Sequence, residues 1–84
     1  MYRVVTDELV QQQIDALPTE ALAFVAELRT LLEVQPWSGK PLHPKNPDGV
    51  QTISFGTHGA GLAYYLILED QRRVDLLTLI WTVS

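Results

Sequence analysis

The chain has no cysteine and no long apolar run, and basic residues are scarce. Without cysteine there is no disulfide framework, no thiolate metal site and no cysteine nucleophile, so the hydrophobic core has to hold the fold unaided. The longest apolar segment, residues 76–81, contains Thr78 and is far shorter than the roughly 20 residues that span a bilayer. The N-terminal segment turns acidic at Asp7 before a signal-peptide apolar region forms. We therefore expect a cytoplasmic protein without membrane contact.

Length and composition indicate one small globular domain covering residues 1–84. With 46% hydrophobic and 19% charged residues, the 84-residue chain is neither a disordered tail nor a two-domain enzyme. A domain this small buries only about 60% of the surface of its unfolded chain, and its stability alone is marginal. We expect it to gain stability from a partner, either as a homodimer or in a hetero-oligomer.

The acidic charge is concentrated in the first part of the chain. The net charge is −4; residues 1–35 carry six acidic and two basic side chains, whereas residues 36–84 carry four of each and both histidines. An overall negative field does not favour nucleic-acid binding. A surface that meets a phosphate backbone is therefore expected only in the second part of the chain.

The first part of the chain predicts a short strand and a helical hairpin. Residues 2–5 are aromatic, basic or β-branched, and residues 6–8 then supply an N-cap and first-turn acids. The next segment has one apolar arc at helical spacing, on which Gln13 intrudes. Thr19–Val34 repeats this spacing, and Pro36 ends it. Two amphipathic helices joined by one or two residues pack antiparallel, and each buries one face.

The second part predicts three strands. Residues 37–48 contain three prolines and a glycine and predict an irregular loop, whereas Gln51–Phe55 alternates with the period of a half-buried strand. Residues 62–69 and 73–83 predict two strands around a turn, apolar on both faces as in central strands. The predicted fold is α+β with the order β-α-α-β-β-β, a helical hairpin packed on one face of a mainly antiparallel four-stranded sheet. The uncovered apolar face indicates a binding surface.

Residues 56–61 place three glycines around His58 and resemble a phosphate-cradling loop. Such loops open a helix, whereas this segment opens a strand, so a plain hairpin loop is favoured. His43, His58 and Asp48 lack the spacing of metal ligands, and we predict no metal and no other cofactor. The sequence also shows no Ser-His-Asp set, paired carboxylates or Walker loop.

Cationic and aromatic side chains are the remaining candidates for function. Two loops around the second predicted strand and the last turn carry Lys40, His43, Lys45, His58, Arg72 and Arg73. These side chains either converge on a phosphate or serve as solubilising charge. Tyr64 and Tyr65 point to opposite faces, so one belongs to the core and the other to the open face, where a base stacks on it or a partner covers it. For the two tryptophans, packing or a protein interface is favoured over base stacking.

Four segments carry a resemblance to a known family. They are residues 31–37 (LLEVQPW), 49–55 (GVQTISF), 62–67 (LAYYLI) and 74–81 (VDLLTLIW). In this order they resemble the RelE/ParE superfamily of toxins from bacterial type II toxin–antitoxin modules. The resemblance covers nearly the whole chain and, within the superfamily, points to short RelE-like proteins of actinobacteria.

This resemblance implies an mRNA interferase, a ribonuclease that cuts messenger RNA on the ribosome and is neutralised by a cognate antitoxin. In such cleavage a ribose 2'-hydroxyl attacks the adjacent phosphate, which requires a base, an acid and cations for the developing charge. The candidates for catalysis are Lys45, His58, Tyr65, Arg72 and Arg73. The candidates for RNA binding are Lys40 and His43, and those for partner binding are Trp37 and Trp81.

The chain departs from the family at expected cations. Thr52 and Ser54 stand where the second strand often carries arginine, and residues 81–84 lack the family's basic stretch and tyrosine. These departures and the acidic charge favour a non-nucleolytic alternative on the same fold, either a ParE-like gyrase inhibitor or a module that binds its antitoxin and co-represses their operon. A third hypothesis is an unrelated interaction domain that dimerises through the open sheet face.

Overall fold

Two helices pack on one face of a mixed five-stranded sheet in the computed structural model, which describes residues 1–82. The elements are β1 (Arg3–Thr6), α1 (Glu8–Asp15), α2 (Thr19–Val34), β2 (Lys40–Pro41), β3 (Gln51–Phe55), β4 (Gly61–Leu68) and β5 (Arg73–Trp81). The strand order is β1-β5-β4-β3-β2; β1 runs parallel to β5, and the other neighbours are antiparallel. Three 3-10 turns, Pro36–Ser38, Thr57–Gly59 and Glu69–Gln71, complete the chain.

The predicted α+β architecture is confirmed, with one strand more than expected. Lys40 and Pro41 form the edge strand β2 inside the segment predicted to be irregular, and they pair with Thr52 and Gln51 of β3. An edge strand tolerates proline because its outer side needs no N–H donor. The last predicted strand was placed at 73–83, and Val83 lies outside the described residues.

The helical hairpin forms where the sequence indicated. The Asp7 side chain accepts a hydrogen bond from the Val10 amide at 2.9 Å and caps α1. α2 occupies the predicted segment Thr19–Val34 and ends before Pro36. Between the helices and the sheet lies the hydrophobic core, whose buried members are Val10, Leu28, Leu32, Phe55, Ala63, Tyr65, Ile67, Val74, Leu76 and Leu79.

A β-bulge in β5 changes which of its side chains reach the core. The register runs from Tyr64 paired with Thr78 to Tyr65 paired with Leu76, so β5 carries an extra residue at this point. Leu76 and Leu79, three residues apart, are therefore both buried. Strict alternation, as the sequence pattern suggested, would have placed them on opposite faces.

Candidate functional site

The sheet face opposite the helices is a mixed apolar and polar surface. The central strand β4 contributes four half-buried side chains to it, Leu62, Tyr64, Leu66 and Leu68. At the bulge and beyond it in β5, Leu77 and Ile80 are 41% and 42% exposed. The helices leave these side chains uncovered, and contiguous apolar surface of this kind marks interaction sites. We refer to this surface as the open face.

The two adjacent tyrosines of β4 lie on opposite faces, as the sequence predicts. Tyr65 is fully buried, and its hydroxyl donates a 2.6 Å hydrogen bond to the Pro36 carbonyl. Desolvation raises the pKa of this phenol, and a hydrogen bond from the Gly39 backbone opposes the shift. Because its ring is inaccessible, Tyr65, a predicted candidate for catalysis, cannot stack on a base. Tyr64 is the tyrosine on the open face, and sequence reasoning passed over it as a site residue.

A groove of about 330 Å³ lies on the open face along β2 and β3. It is lined by Ser38, Gly39, Lys40, Thr52, Ile53, Ser54 and Leu62. The Thr52 hydroxyl donates to the Lys40 carbonyl at 3.2 Å, and Thr52 is the cross-strand partner of Tyr64. The groove therefore combines one ammonium group, three hydroxyls and apolar surface. Two of the hydroxyls, those of Thr52 and Ser54, occupy the strand positions where the resemblance implies arginine.

Arg73 is paired with a neighbour on its own strand. Its Nε donates to Asp75 Oδ1 at 2.9 Å and its Nη2 to Asp75 Oδ2 at 3.3 Å. Both side chains are 29% exposed. The carboxylate offsets the guanidinium charge, so Arg73 presents little net charge to a phosphate.

A second cluster lies at the end of the sheet where β4 turns into β5. Glu69 Oε1 accepts hydrogen bonds from the Tyr2 hydroxyl at 2.7 Å and from the Trp37 indole N–H at 2.9 Å. Both bonds lower the pKa of Glu69, and the bond from Trp37 has the larger effect. The charge of Arg72 acts in the same direction. Arg72 has a left-handed backbone, with φ 49°, and its Cζ lies 5.2 Å from the centre of the Tyr2 ring.

The candidate catalytic residues are not gathered in one place. His58, in the exposed turn Thr57–Gly59, precedes β4, whereas Arg72 and Arg73 follow it. β4 has eight residues, so these two ends are roughly 20 Å apart at about 3.3 Å per residue. His43 and Lys45 are exposed in the segment between β2 and β3, which enters β3 at the end where β4 finishes. A single site containing both His58 and Arg72 is excluded by this separation.

The two tryptophans have different surroundings. Trp37 is 45% exposed at the end of α2, where a partner can reach it. Trp81 is half-buried, with its ring 6.2 Å from that of Phe24 and 5.9 Å from that of Phe55, centre to centre. The bulge in β5 turns Trp81 toward the helices, where it packs against these rings. Of the two tryptophans predicted for partner binding, Trp37 is the one with the more exposed ring.

The sequence carried only weak signals for the residues that organise these sites. The sequence places Tyr2 at the start of the first predicted strand and Glu69 at the end of the 62–69 strand, and nothing in the local pattern shows that these residues, 67 positions apart, meet. Within residues 1–82, no group of three or more His, Asp or Glu side chains is placed to hold a metal ion. Neither described helix is long and apolar enough to cross a membrane.

Comparison with known proteins gives similarity in structure only. No protein-family model matches the chain, and no curated protein matches it. The toxin–antitoxin complex RelBE2 of Mycobacterium tuberculosis contains a chain with 24% identity and a TM-score of 0.80, covering 99% of this chain and 93% of that one. The intact Escherichia coli RelBE complex gives 14% identity and a TM-score of 0.76, covering 100% and 99%. The archaeal RelE–RelB complex of Pyrococcus horikoshii gives 21%, a TM-score of 0.66, and 96% and 94%.

These similarities extend over nearly the full length of each chain, so the helical hairpin and the sheet correspond as a unit. TM-scores of 0.66 to 0.80 establish a shared fold, and at sequence identities of 14–24% the similarity shows the fold alone. The resemblance that the sequence showed to RelE-like proteins is confirmed at this level: the chain has the RelE fold.

Proposed function

We propose that this protein is a RelE-like toxin of a type II toxin–antitoxin module, which inhibits translation in the cytoplasm and is neutralised by a cognate antitoxin. The observation that carries the proposal is the full-length similarity to chains from toxin–antitoxin complexes, at TM-scores of 0.66 to 0.80. The uncovered open face supports it, because a surface with exposed Leu77 and Ile80 gains from being covered by another protein.

Ribosome-dependent mRNA cleavage is the first candidate for the toxic activity. Tyr64, the cross-strand partner of Thr52 in the groove, supplies a ring on which a base stacks, and Lys40 supplies a cation for the scissile phosphate. Lys45 and His43, in the segment between β2 and β3, remain candidates for proton transfer and RNA contact. This assignment replaces Tyr65 by Tyr64 and leaves out Arg72 and Arg73; His58 stays a candidate, because the neighbouring Gly59 lies beside Ser54 of the groove.

A non-nucleolytic activity is the second candidate, and it is favoured because Arg72 and Arg73 each lie beside a carboxylate. Arg73 is paired with Asp75, and Arg72 lies 3.7 Å from Glu69. With these charges offset and hydroxyls at Thr52 and Ser54, the open face has little cationic surface for a phosphorane intermediate or ribosomal RNA. On this alternative the protein acts on gyrase or solely as the antitoxin's binding partner.

The test is to express the protein alone from an inducible promoter in bacteria. Incorporation of labelled methionine and thymidine is followed after induction, with primer extension on an abundant messenger. A prompt fall in methionine incorporation and new cuts inside codons are expected for the ribonuclease. A fall in thymidine incorporation first is the result expected for gyrase inhibition. No effect of the folded protein on either would overturn toxicity.

Two variants identify the surface responsible. Lys40→Ala removes the cation of the groove, and Arg29→Ala removes the basic residue of the helical layer on the opposite side. Both change the net charge equally, so cleavage lost in Lys40→Ala and retained in Arg29→Ala assigns the activity to the groove. Equal activity in the two variants would exclude Lys40 from the mechanism.

A further inference from the structure

A pocket of about 350 Å³ lies beside Trp37 where α2 ends. It is lined by Tyr2, Val34, Gln35, Pro36, Trp37 and Ser38. Val34 and Trp37 are 55% and 45% exposed, so the pocket has an apolar mouth that water contacts. Apart from Ser38 at its border, it shares no residue with the groove on the open face. We call it the Trp37 pocket.

The aromatic walls of the Trp37 pocket are held in place from outside. Glu69 Oε1 accepts from both Tyr2 and Trp37, at 2.7 and 2.9 Å, although neither ring is fully buried. Aromatic side chains that are half-buried, as Tyr2 is, or exposed, as Trp37 is, lose rotamer freedom on binding a ligand, and this shared acceptor restricts both beforehand. Trp, Tyr and Arg are the residue types that dominate interface hot spots, and Arg72 lies against the Tyr2 ring.

The electrostatic surroundings of the pocket favour a cation. α2 has 16 residues and no basic side chain in its last turn, although the amides of Gln35 and Tyr2 bond the Leu31 and Glu33 carbonyls, each at 2.7 Å. Pro36 has no N–H, and the Leu32 carbonyl therefore has no backbone donor four residues on. The acidic side chain of Glu33 stands in the same turn. Arg72, which lies against the Tyr2 ring, is paired with Glu69 at 3.7 Å, so the ring that suits an added ammonium or guanidinium group beside this helix end is that of Trp37.

We propose that the Trp37 pocket binds a lysine or arginine side chain, flanked by apolar residues, on a segment of the antitoxin, separate from the contact on the open face. The identity of the partner rests on the proposed function; the chemistry of the pocket does not. The cationic head lies toward the end of α2, and the aliphatic stem and its apolar neighbours pack on Trp37 and Val34.

The direct test uses the two tryptophans as reporters. Each indole N–H gives one signal in a proton–nitrogen correlation spectrum, and Trp37→Phe assigns the pair by deleting one. The peptide acetyl-Leu-Arg-Leu-amide is titrated into the labelled protein, with acetyl-Leu-Glu-Leu-amide as the charge-reversed control. We expect the arginine peptide to shift the Trp37 signal saturably while Trp81, packed against Phe24 and Phe55, serves as the unmoved reference. An unmoved Trp37 signal, or equal shifts with both peptides, would overturn the proposal.

The second test uses the protein encoded by the reading frame adjacent to this gene. We expect Trp37→Ala to weaken its binding by about tenfold or more, and Leu22→Ala, an exposed apolar change elsewhere on α2, to leave it unchanged. Melting curves of both variants establish that they fold. Binding equal to that of the unaltered protein in Trp37→Ala overturns the role of the pocket. If the unaltered protein does not bind the product of the adjacent reading frame, this counts against the proposed function. The peptide titration then tests the chemistry of the Trp37 pocket independently of the partner.

Discussion

Gln13 of α1 bonds directly to the backbone of Leu79, across the core from its own helix. Its Oε1 accepts the Leu79 amide at 2.9 Å, and its side-chain amide also contacts the Thr78 hydroxyl at 3.1 Å. The bonded amide lies just after the bulge, where β5 departs from regular pairing with β4. Gln13, which interrupts the apolar arc of α1, thus supplies a hydrogen-bond acceptor to the Leu79 amide next to the bulge.

Gln13→Ala should therefore destabilise the domain by about 1–3 kcal/mol, because the Leu79 amide loses its acceptor in a part-buried setting. The free energy of unfolding from urea titration measures the loss. Gln12→Ala changes an exposed neighbour on the same helix and should stay within about 0.5 kcal/mol of the unaltered protein. Equal losses in the two variants would assign the effect to helix propensity instead of the bulge.

The pair of tyrosines in β4 offers a second matched comparison. Tyr65→Phe leaves the Pro36 carbonyl without its 2.6 Å donor in a buried position and should cost about 1–2 kcal/mol. Tyr64→Phe, on the open face, should have almost no effect on the free energy of unfolding. If Tyr64→Phe nevertheless reduces toxicity in the growth assay, its hydroxyl contributes to function and not to folding.

The Glu69 cluster predicts a contribution to stability that depends on pH. The pKa of Glu69 is lowered in the folded state, mainly by the hydrogen bond from Trp37. A lowered folded-state pKa gives stability that is fully present above the unfolded value of about 4.3 and is lost as the pH falls through the folded value. Glu69→Gln should therefore melt at a lower temperature than the unaltered protein at neutral pH, and the difference should shrink as the pH falls below the unfolded value of about 4.3. Melting curves that remain parallel over this range would contradict the assignment.

Releasing Arg73 from its carboxylate should increase RNA binding. Asp75→Asn removes the charge that offsets the guanidinium on the open face. Asp48→Asn makes the same change of net charge at an exposed position in the segment between β2 and β3. In filter binding to single-stranded RNA, we expect Asp75→Asn to gain more affinity and a steeper salt dependence than Asp48→Asn. Equal gains would show that only overall charge matters.

Much of the fold was predictable because its elements are marked locally. The helical spacing of Thr19–Val34, with Pro36 beyond it, predicted α2 with its observed bounds, and Asp7 marked the start of α1. The two-residue strand β2 was not predictable, since Lys40 and Pro41 have no strand pattern of their own and pair only because β3 offers its edge. The position of the bulge was also not predictable from the sequence, because it depends on the pairing register of β5 with β4 and on its contact with α1.

The candidate site was predicted only in outline. An apolar sheet face left open by two helices follows from the periodicity of β4 and β5, and the contrast between Tyr64 and Tyr65 follows from strand alternation. Which tyrosine faces outward depends on which side of the sheet the helices cover, and that is settled by packing.

By itself, then, the sequence determined the type and order of the elements, because helical period, strand alternation, caps and prolines act over a few residues. Only the tertiary structure decided the bulge that turns Trp81 inward, the pairing of Arg73 with Asp75 and the meeting of Tyr2, Trp37 and Glu69. Register, side-chain geometry and contacts between distant segments set these relationships, and no short stretch of sequence encodes them.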